Sequence, residues 1–329
     1  MASTTRQALL QALSAAEGAY ISGQQLAQQL GVSRAAVHKA AAALTAQGYA
    51  LEAASRRGYR LLGGDPFCTE AVGPYPAPVQ LYDTLESTNR TAKLLALEGT
   101  AHGTLVLAGG QTAGRGRLGR SWVNAEGKAL YYTVAIKEPL AQPATLPLLS
   151  SLAVRRQLQL RYGVDCQIKW PNDLLLNGKK IVGILCESVS YGYQQQGRGI
   201  LCGIGINLAQ PQSYFDAADL PHGTSLALQG AAVDLATDPA WLAEGLTDFG
   251  FDRNLYTFAR DGFAPFREEY KAACINLGRR VTFDLPDGSQ GAGEAVDVDT
   301  EGRLVVRTDA GEQHVFTGEV SVHGIYGAV

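Results

Sequence analysis

A run of seven residues, 114–120, interleaves three glycines with three arginines and is the most unusual motif in the chain. Glycine lets the backbone approach a ligand closely and turn its amides toward an anion. Arginine adds a forked donor that matches phosphate or carboxylate. The run therefore predicts a flexible loop for an anionic ligand, with a solvated basic loop or an RNA-binding arginine-glycine tract as the alternatives for this motif alone. The chain contains no Walker motif, because no glycine-rich run ends in Gly-Lys-Ser or Gly-Lys-Thr.

A second group of polar residues surrounds a predicted hairpin. The motif Lys169-Trp170-Pro171-Asn172-Asp173 ends one predicted strand, and Lys180 begins the next after the short connection Asn177-Gly178. Such a tight turn places Asn172, Asp173 and Lys180 on neighbouring strands. Because an apolar run follows Lys180, we expect its stem to lie on an apolar wall and its ammonium to neutralise developing charge on a carboxylate or phosphate. An ordinary surface ion pair is the alternative for Asp173 and Lys180.

The composition excludes several classes of protein. The chain has 329 residues, of which 46% are apolar and 18% charged, which is typical of a globular protein of about two domains. Its five cysteines include no C-x-x-C pair, so neither a disulfide framework nor a zinc site is predicted. No stretch approaches the roughly 18 apolar residues of a membrane span, and the N-terminal apolar residues recur at helical spacing. We therefore expect a cytoplasmic protein that has no membrane contact and no metal ligands of its own.

The net charge of −3 is unevenly distributed along the chain. Residues 1–63 carry six basic and two acidic side chains, which gives this segment a charge of +4 and the remainder a charge of −7. Such an asymmetry indicates a small module that faces nucleic acid.

The same segment has the pattern of a winged helix-turn-helix domain. Two short amphipathic helices flank Gly31, which can end the first in a left-handed conformation, and Ser33, which can cap the second. Two strands, 49–52 and 58–62, form the wing, so the second helix is expected in the DNA major groove and the wing against phosphates. A helical bundle with solvated basic residues is the alternative. The predicted DNA contacts are Ser22, Ser33, Arg34, His38, Lys39, Arg56 and Arg57.

The rest of the chain divides into two further units. Glycine and proline dominate residues 64–78, which are predicted to form a linker. Strands mixed with a few helices over 79–276 favour an α+β domain around a mixed sheet. Short strands separated by turn signals over 277–329 favour a small all-β barrel.

In their order and spacing, the motifs resemble the BirA-type bifunctional biotin protein ligases over nearly the whole chain. The matching residues are Ser87-Thr88-Asn89, Gln111 with the 114–120 run, the 169–173 motif, Lys180 with Gly183-Ile184-Leu185, and Gly205-Ile206-Asn207. The resemblance implies an α+β protein with an N-terminal winged helix-turn-helix, a central mixed-sheet ligase domain and a C-terminal SH3-like barrel. It also implies activation of biotin by ATP to biotinyl-5′-AMP, with Mg²⁺ on the triphosphate, and transfer of biotin to a lysine of a biotin carboxyl carrier protein domain.

The resemblance also implies roles for individual residues. Attack of the biotin carboxylate on the α-phosphorus brings two anions together, so the reaction needs charge neutralisation and positioning, and no covalent nucleophile. Arg115, Arg117 and Lys180 are expected to neutralise the carboxylate and phosphates, and Asp173 to orient or deprotonate the acceptor lysine. The adenine contacts, expected within 211–223, stay unassigned. The implied ligand-binding residues are Ser87, Thr88, Asn89, Gln111, Arg115, Gly116, Arg117, Lys180 and Asn207.

Three functions are compatible with this resemblance. The first is a ligase whose adenylate also acts as a corepressor, favouring a homodimer on operator DNA. The second is a biotin-binding transcription factor that has lost ligation, which would show damage to the 114–120 run or to Lys180. The third is a lipoyl ligase, which the 114–120 run together with the 169–173 motif disfavours. Because neither motif is damaged, the ligase is the expected function.

Overall fold

A computed structural model describes residues 5–14, 16, 18–46, 49, 51–62, 77–123, 128–137, 139–192, 197–235, 253–285, 289–316, 320–322 and 325. Except for residues 77 and 78, the predicted linker 64–78 lies outside these ranges. The predicted domain bounds therefore stay predictions.

Three helices and an antiparallel hairpin make up the N-terminal unit. The elements are α1 (Thr5–Ser14), α2 (Gly23–Leu30), α3 (Arg34–Ala46), β1 (Leu51–Ala54) and β2 (Gly58–Leu61). The helices bury Leu9, Leu26 and Val37 completely between them. This arrangement confirms the predicted winged helix-turn-helix.

Local capping explains where α2 and α3 begin. Ser22 Oγ accepts a hydrogen bond from the Gln25 amide at 3.2 Å, and Ser33 Oγ accepts one from the Ala36 amide at 3.1 Å. Gly31 ends α2 with φ of 64°, a left-handed conformation that costs glycine little. The predicted cap functions of Gly31 and Ser33 are therefore confirmed.

The first wing strand lies two residues later than the sequence pattern predicts. Tyr49 is buried in the helical core, and its amide donates to the Leu44 carbonyl at 3.1 Å. This residue therefore closes the end of α3, and the strand begins at Leu51.

The central unit is built on a seven-stranded mixed sheet with the order β3-β4-β7-β11-β10-β9-β8. Strands β3 and β4 are parallel, and the other neighbours are antiparallel. Its strands are β3 (Val79–Leu85), β4 (Leu105–Gln111), β7 (Ala129–Ile136), β8 (Gln167–Lys169), β9 (Asp173–Leu176), β10 (Lys179–Tyr191) and β11 (Gly197–Asn207). A separate two-stranded ribbon, β5 (Gly114–Arg115) with β6 (Ser121–Trp122), encloses the predicted anion loop. The helices of this unit are α4 (Thr88–Leu97), α5 (Leu146–Tyr162) and α6 (Gln212–Ala217).

The two faces of the sheet differ because residues of a strand alternate between them. On β11, Cys202, Ile204 and Ile206 belong to the main hydrophobic core, which includes the apolar side of α5. Gly203 and Gly205 alternate with these residues and therefore face the opposite side. Because glycine has no side chain, the sheet has room for a cleft on this opposite face.

Two helices lead into the C-terminal unit, which is a five-stranded antiparallel sheet with the order β15-β14-β13-β12-β16. These elements are α7 (Arg253–Asp261), α8 (Arg267–Ala273), β12 (Arg280–Asp284), β13 (Gln290–Val298), β14 (Leu304–Thr308), β15 (Gly311–Val315) and β16 (Val320–Val322). Trp170 Nε1 donates to the Gly302 carbonyl at 3.0 Å, which joins the sheet to the 169–173 motif. The predicted α+β class with an all-β C-terminal unit is confirmed. Within the described part of the chain, no helix is both long and apolar enough to span a membrane.

Candidate active site

A cavity of about 350 Å³ lies over the glycine face of β10 and β11. All ten residues predicted to bind ligand or act in catalysis line it. They are Ser87, Thr88, Asn89, Gln111, Arg115, Gly116, Arg117, Asp173, Lys180 and Asn207. These residues come from six separate stretches of the chain, and the sheet topology brings them to one place.

Glycines form the floor of this cavity because larger residues would collide with its side chains. A Cβ at Gly183 would lie 2.4 Å from the Trp122 ring, and one at Gly205 would lie 2.8 Å from the same ring. At Gly203 a Cβ would lie 2.0 Å from Asn89 Oδ1. Trp122 and Asn89 therefore rest directly on the backbone of the sheet.

Asn89 is held by three hydrogen bonds at the first turn of α4. Its Nδ2 donates to Glu187 Oε2 at 2.7 Å and to the Leu185 carbonyl at 3.2 Å, and its Oδ1 accepts from Thr133 Oγ1 at 2.6 Å. Asn89 and Thr133 are both buried. The network fixes the orientation of the amide before any ligand binds.

Replacing Gly203 by alanine is expected to weaken biotin binding about tenfold. The new Cβ overlaps Asn89 Oδ1 and would displace it. Overpacking of this kind is expected to lower the affinity for biotin by about a factor of ten. Isothermal titration with biotin measures the affinity. The Asn89→Ala variant is the matched test, because it removes the atom that the new Cβ would overlap. Adding Gly203→Ala to it should therefore lower the affinity for biotin little further. Full additivity of the two losses would contradict the proposed overlap.

Ser87, Thr88 and Gln111 meet at the start of α4. Gln111 Oε1 accepts from the Thr88 amide at 2.8 Å and from Thr88 Oγ1 at 3.2 Å. Ser87 occupies the N-cap position, is 3% exposed and makes no side-chain cap bond to the helix. The polar groups at this end of the cavity are therefore buried and held in a fixed arrangement, which suits recognition of a small polar ring.

Two of the three arginines of the 114–120 loop, Arg115 and Arg117, contact different acceptors. Arg115 Nη2 lies 3.1 Å from Glu187 Oε2, and Arg117 Nη1 donates to Asn172 Oδ1 at 3.0 Å. Asn172 is itself held by Ile184. Its side-chain Nδ2 donates to the Ile184 carbonyl at 2.8 Å, and its backbone carbonyl accepts from the Ile184 amide at 3.0 Å. The guanidinium of Arg117 therefore has a rigid support.

Sequence reasoning placed Asn172 near Lys180 but gave it no role at the site, and it missed Glu187 altogether. Asn172 stands inside the 169–173 motif, so its position in that motif was an available signal. Glu187 had no such signal, because it approaches Asn89 and Arg115 only through the pairing of distant segments.

Replacing Asn172 by alanine is expected to slow adenylate formation about tenfold. Arg117 would lose the acceptor that orients it, and small displacements of a positioning group are costly in catalysis. Single-turnover formation of biotinyl-5′-AMP measures the effect. Asn177→Ala is the control, because Asn177 is an exposed amide at the hairpin tip that contacts Gln229. Equal rates for the two variants would remove Asn172 from the mechanism.

The predicted hairpin places Lys180 beside Asp173. Lys180 Nζ lies 2.7 Å from Asp173 Oδ1 and 5.4 Å from the centroid of the Trp122 ring. The Asp173 side chain is 13% exposed and the Lys180 side chain 29%, so the pair is more shielded than an ordinary surface ion pair. A register shift between Lys180 and Val182 interrupts the β9 and β10 pairing at this point.

Asn207 lies at the other wall of the cavity and is bonded to protein through both ends of its amide. Its Nδ2 donates to the Thr224 carbonyl at 3.0 Å, and its Oδ1 accepts from Gln210 Nε2 at 2.7 Å. These bonds hold the segment that follows β11. A direct contact between Asn207 and a ligand stays a prediction.

The segment 211–223, in which no adenine contact was assigned, forms part of the cavity wall. Tyr214 on α6 donates its hydroxyl to the Val123 carbonyl at 2.8 Å, next to the end of β6. Burial raises the pKa of Tyr214 to about 12. Tyr214 therefore joins this wall to the arginine loop, a link that the sequence did not reveal.

The predicted DNA contacts lie on one domain, and they divide into two groups. Arg34, His38 and Lys39 are exposed on α3, and Arg56 and Arg57 are exposed in the wing turn. The hydroxyls of Ser22 and Ser33 are engaged in helix capping, as described above.

Three stretches of the chain match known families. Residues 81–207 match the Biotin/lipoate A/B protein ligase family. Residues 5–60 match an HTH domain, and residues 277–322 match the Biotin protein ligase C terminal domain. The order of these matches is the order of the three predicted units.

Individual relatives extend the similarity over the whole chain. The bifunctional ligase/repressor BirA of Bacillus subtilis is 32% identical over 98% of this chain and 100% of that protein. BirA of Escherichia coli is 28% identical over 93% of this chain and 94% of that protein. The solved biotin protein ligase of Aquifex aeolicus in complex with biotin and ATP aligns with a TM-score of 0.59 at 25% identity, covering 75% of this chain and 98% of that chain. From these matches and the cavity they accompany, the chain belongs to the BirA-type family of bifunctional biotin protein ligases and repressors.

Proposed function

We propose that this protein joins biotin to ATP as biotinyl-5′-AMP and then transfers the biotinyl group to a lysine of a biotin carboxyl carrier protein domain. The observation that supports it most directly is the gathering of all ten predicted site residues around one cavity. This cavity combines a buried polar end, at Ser87 and Gln111, with cationic side chains at Arg115, Arg117 and Lys180.

In the first step, a biotin carboxylate oxygen forms a bond to the α-phosphorus of ATP, and the bond from that phosphorus to the pyrophosphate oxygen breaks. Both partners are anionic, so three fixed cations lower the barrier by stabilising the charge that develops on the phosphoryl oxygens. Arg117 is oriented by Asn172, and Lys180 by Asp173. The protein therefore supplies positioned charge and needs no covalent intermediate with itself.

In the second step, the amine of the acceptor lysine attacks the acyl carbon, and AMP leaves. We propose that Asp173 orients this amine and accepts a proton from its ammonium form. The position of Asp173 in the cavity wall supports this role. Trp122, which covers the glycine floor, is placed to exclude water from the hydrolysable adenylate.

For Mg²⁺, we propose binding mainly through the phosphate oxygens of ATP and water. Among the described residues, no three His, Cys, Asp or Glu side chains come together as metal ligands. The two carboxylates beside the predicted phosphate ligands are both paired, Asp173 with Lys180 and Glu187 with Arg115. The cavity residues thus do not form a complete cage of their own, which agrees with the usual binding of Mg²⁺ through substrate phosphates.

We further propose that the N-terminal unit binds operator DNA as part of a homodimer that the adenylate favours. The four exposed Arg and Lys side chains on α3 and in the wing, together with the exposed His38, support the DNA contact. Reciprocal coupling requires that operator DNA also raise the affinity for the adenylate. Sedimentation with and without biotinyl-5′-AMP tests the dimer.

Mass spectrometry of the acceptor tests the enzymatic proposal. The full chain is incubated with ATP, Mg²⁺ and a biotin carboxyl carrier domain, with biotin or lipoate in parallel samples. We expect a mass increment of one biotinyl group on one lysine, and none without ATP. An increment with lipoate alone would reassign the substrate, and no increment with either acid would overturn the ligase assignment.

A further inference from the structure

The wing of the N-terminal unit is backed by an aromatic ring that no sequence motif pointed to. The Tyr20 ring centroid lies 4.1 Å from Arg57 Cζ and 4.7 Å from Arg60 Cζ. Both guanidinium groups are therefore within the range of cation–π contact with one ring. Tyr20 precedes α2, and the two arginines belong to the wing hairpin.

The backbone holds Tyr20 at this place. Ile21 and Tyr59 exchange two backbone hydrogen bonds of 2.9 Å, so an isolated antiparallel bridge ties the residue after Tyr20 to β2. Gly58 permits this approach, because a Cβ there would lie 2.1 Å from the Ile21 carbonyl oxygen. The position of the Tyr20 ring over the wing is thus set by main-chain pairing.

The two stacked arginines differ in their remaining partners. Arg60 donates to Glu52 Oε2 through Nε at 2.8 Å and through Nη2 at 2.6 Å, so its charge is compensated within the wing. Hydrogen bonds from Tyr20 and Arg60 hold the pKa of Glu52 below its ordinary value. Arg57 is exposed in the wing turn, and its Cζ lies over the Tyr20 ring. A guanidinium that lies over a ring can still donate through the N–H groups at its edge to another acceptor.

We propose that Tyr20 is a positioning residue for DNA binding, whose ring holds Arg57 in the conformation that meets a DNA phosphate. This inference rests on the proposed DNA-binding function. An exposed arginine ordinarily loses side-chain freedom when it contacts a phosphate, and a ring that already orders the guanidinium reduces that loss. The contact is to the sugar-phosphate backbone, so it does not depend on the DNA sequence.

Fluorescence anisotropy with a labelled 30-base-pair duplex of arbitrary sequence tests the proposal on the full chain at several salt concentrations. Tyr20→Leu is expected to weaken binding about threefold to fivefold, the usual size of an exposed cation–π contact. It should also lower the slope of log affinity against log salt by up to about one, because one phosphate contact is lost. Tyr20→Phe keeps the ring and is expected to bind like the unchanged protein.

Arg57 variants separate positioning from a merely structural effect. Arg57→Ala should weaken binding as much as Tyr20→Leu or more, and the double variant should bind no more weakly than Arg57→Ala alone. Arg57→Lys keeps the charge but loses the planar stacking group, so it should also weaken binding severalfold. This variant keeps the test decisive if Tyr20→Leu lowers the thermal unfolding midpoint.

Several outcomes would overturn the proposal. The first is unchanged DNA binding by Tyr20→Leu or by Arg57→Lys. The second is additive losses of DNA affinity in the double variant. The third is a loss of DNA affinity in Tyr20→Phe equal to that in Tyr20→Leu, which would assign the effect to the hydroxyl and Glu52. Absence of salt-dependent DNA binding by the unchanged protein would instead refute the proposed DNA-binding function, on which this inference depends.

Discussion

Replacing Lys180 by alanine is expected to slow adenylate formation by about two to three orders of magnitude. Removing one preorganised donor to a developing oxyanion has an effect of this size in enzymes. The ammonium is held in place by Asp173 at 2.7 Å and lies over the Trp122 ring. Its stabilisation of the transition state therefore requires little rearrangement. Quenched-flow measurement of biotinyl-5′-AMP from ATP and biotin gives the rate.

Two companion variants distinguish catalysis from structure. Lys179→Ala removes the same charge one residue earlier on β10, outside the cavity lining, and should leave the rate nearly unchanged. The double variant Lys180→Ala/Asp173→Asn removes the carboxylate charge that Lys180 compensates. If an uncompensated Asp173 caused the loss, this double variant would recover adenylate formation. Persistence of the loss would support direct action of Lys180, and near-normal activity of Lys180→Ala would exclude it.

The Arg117→Ala variant is expected to lose about two orders of magnitude in the same adenylation rate. Its guanidinium is the loop cation that the sheet supports through Asn172. Arg117→Lys retains the charge but loses the forked donor, so only part of the rate should return. The Asn172→Ala loss and the Arg117→Ala loss should be strongly non-additive, because both remove one positioned group.

The control for Arg117 is Arg198→Ala, an exposed arginine on β11 that does not line the cavity. It should adenylate biotin at the unchanged rate, which would exclude a general effect of lowered positive charge. If Arg117→Ala and Arg198→Ala behaved alike, Arg117 would have no specific part in the reaction.

Much of the domain organisation could be read from short stretches of sequence. Gly31 and Ser33 act on neighbouring residues only, so the turn of the helix-turn-helix was predictable from their types and positions. The displaced first wing strand shows the limit of this reasoning. Tyr49 is drawn into the core that the helices form, and a local pattern contains no information about that burial.

The candidate site was predictable to a similar degree. A family-like order of motifs identified the residues that gather at the cavity, including Lys180 and Asp173 on one hairpin. It did not identify Glu187, which lies 98 residues from Asn89 and 72 from Arg115 in the chain and yet contacts both. Nor did it identify the ring of Tyr20 behind the wing.

The sequence by itself determined the kinds of groups available for the chemistry, namely the arginine-glycine loop, Lys180 with Asp173, and a basic N-terminal unit. These features depend on the type of each residue and on its neighbours in the chain, both of which can be read directly from the sequence. Only the tertiary structure decided which acceptor supports each arginine and why glycine must lie beneath Trp122. Such contacts arise from pairing between strands far apart in the chain, and close packing on a shared sheet, not local preference, selects them.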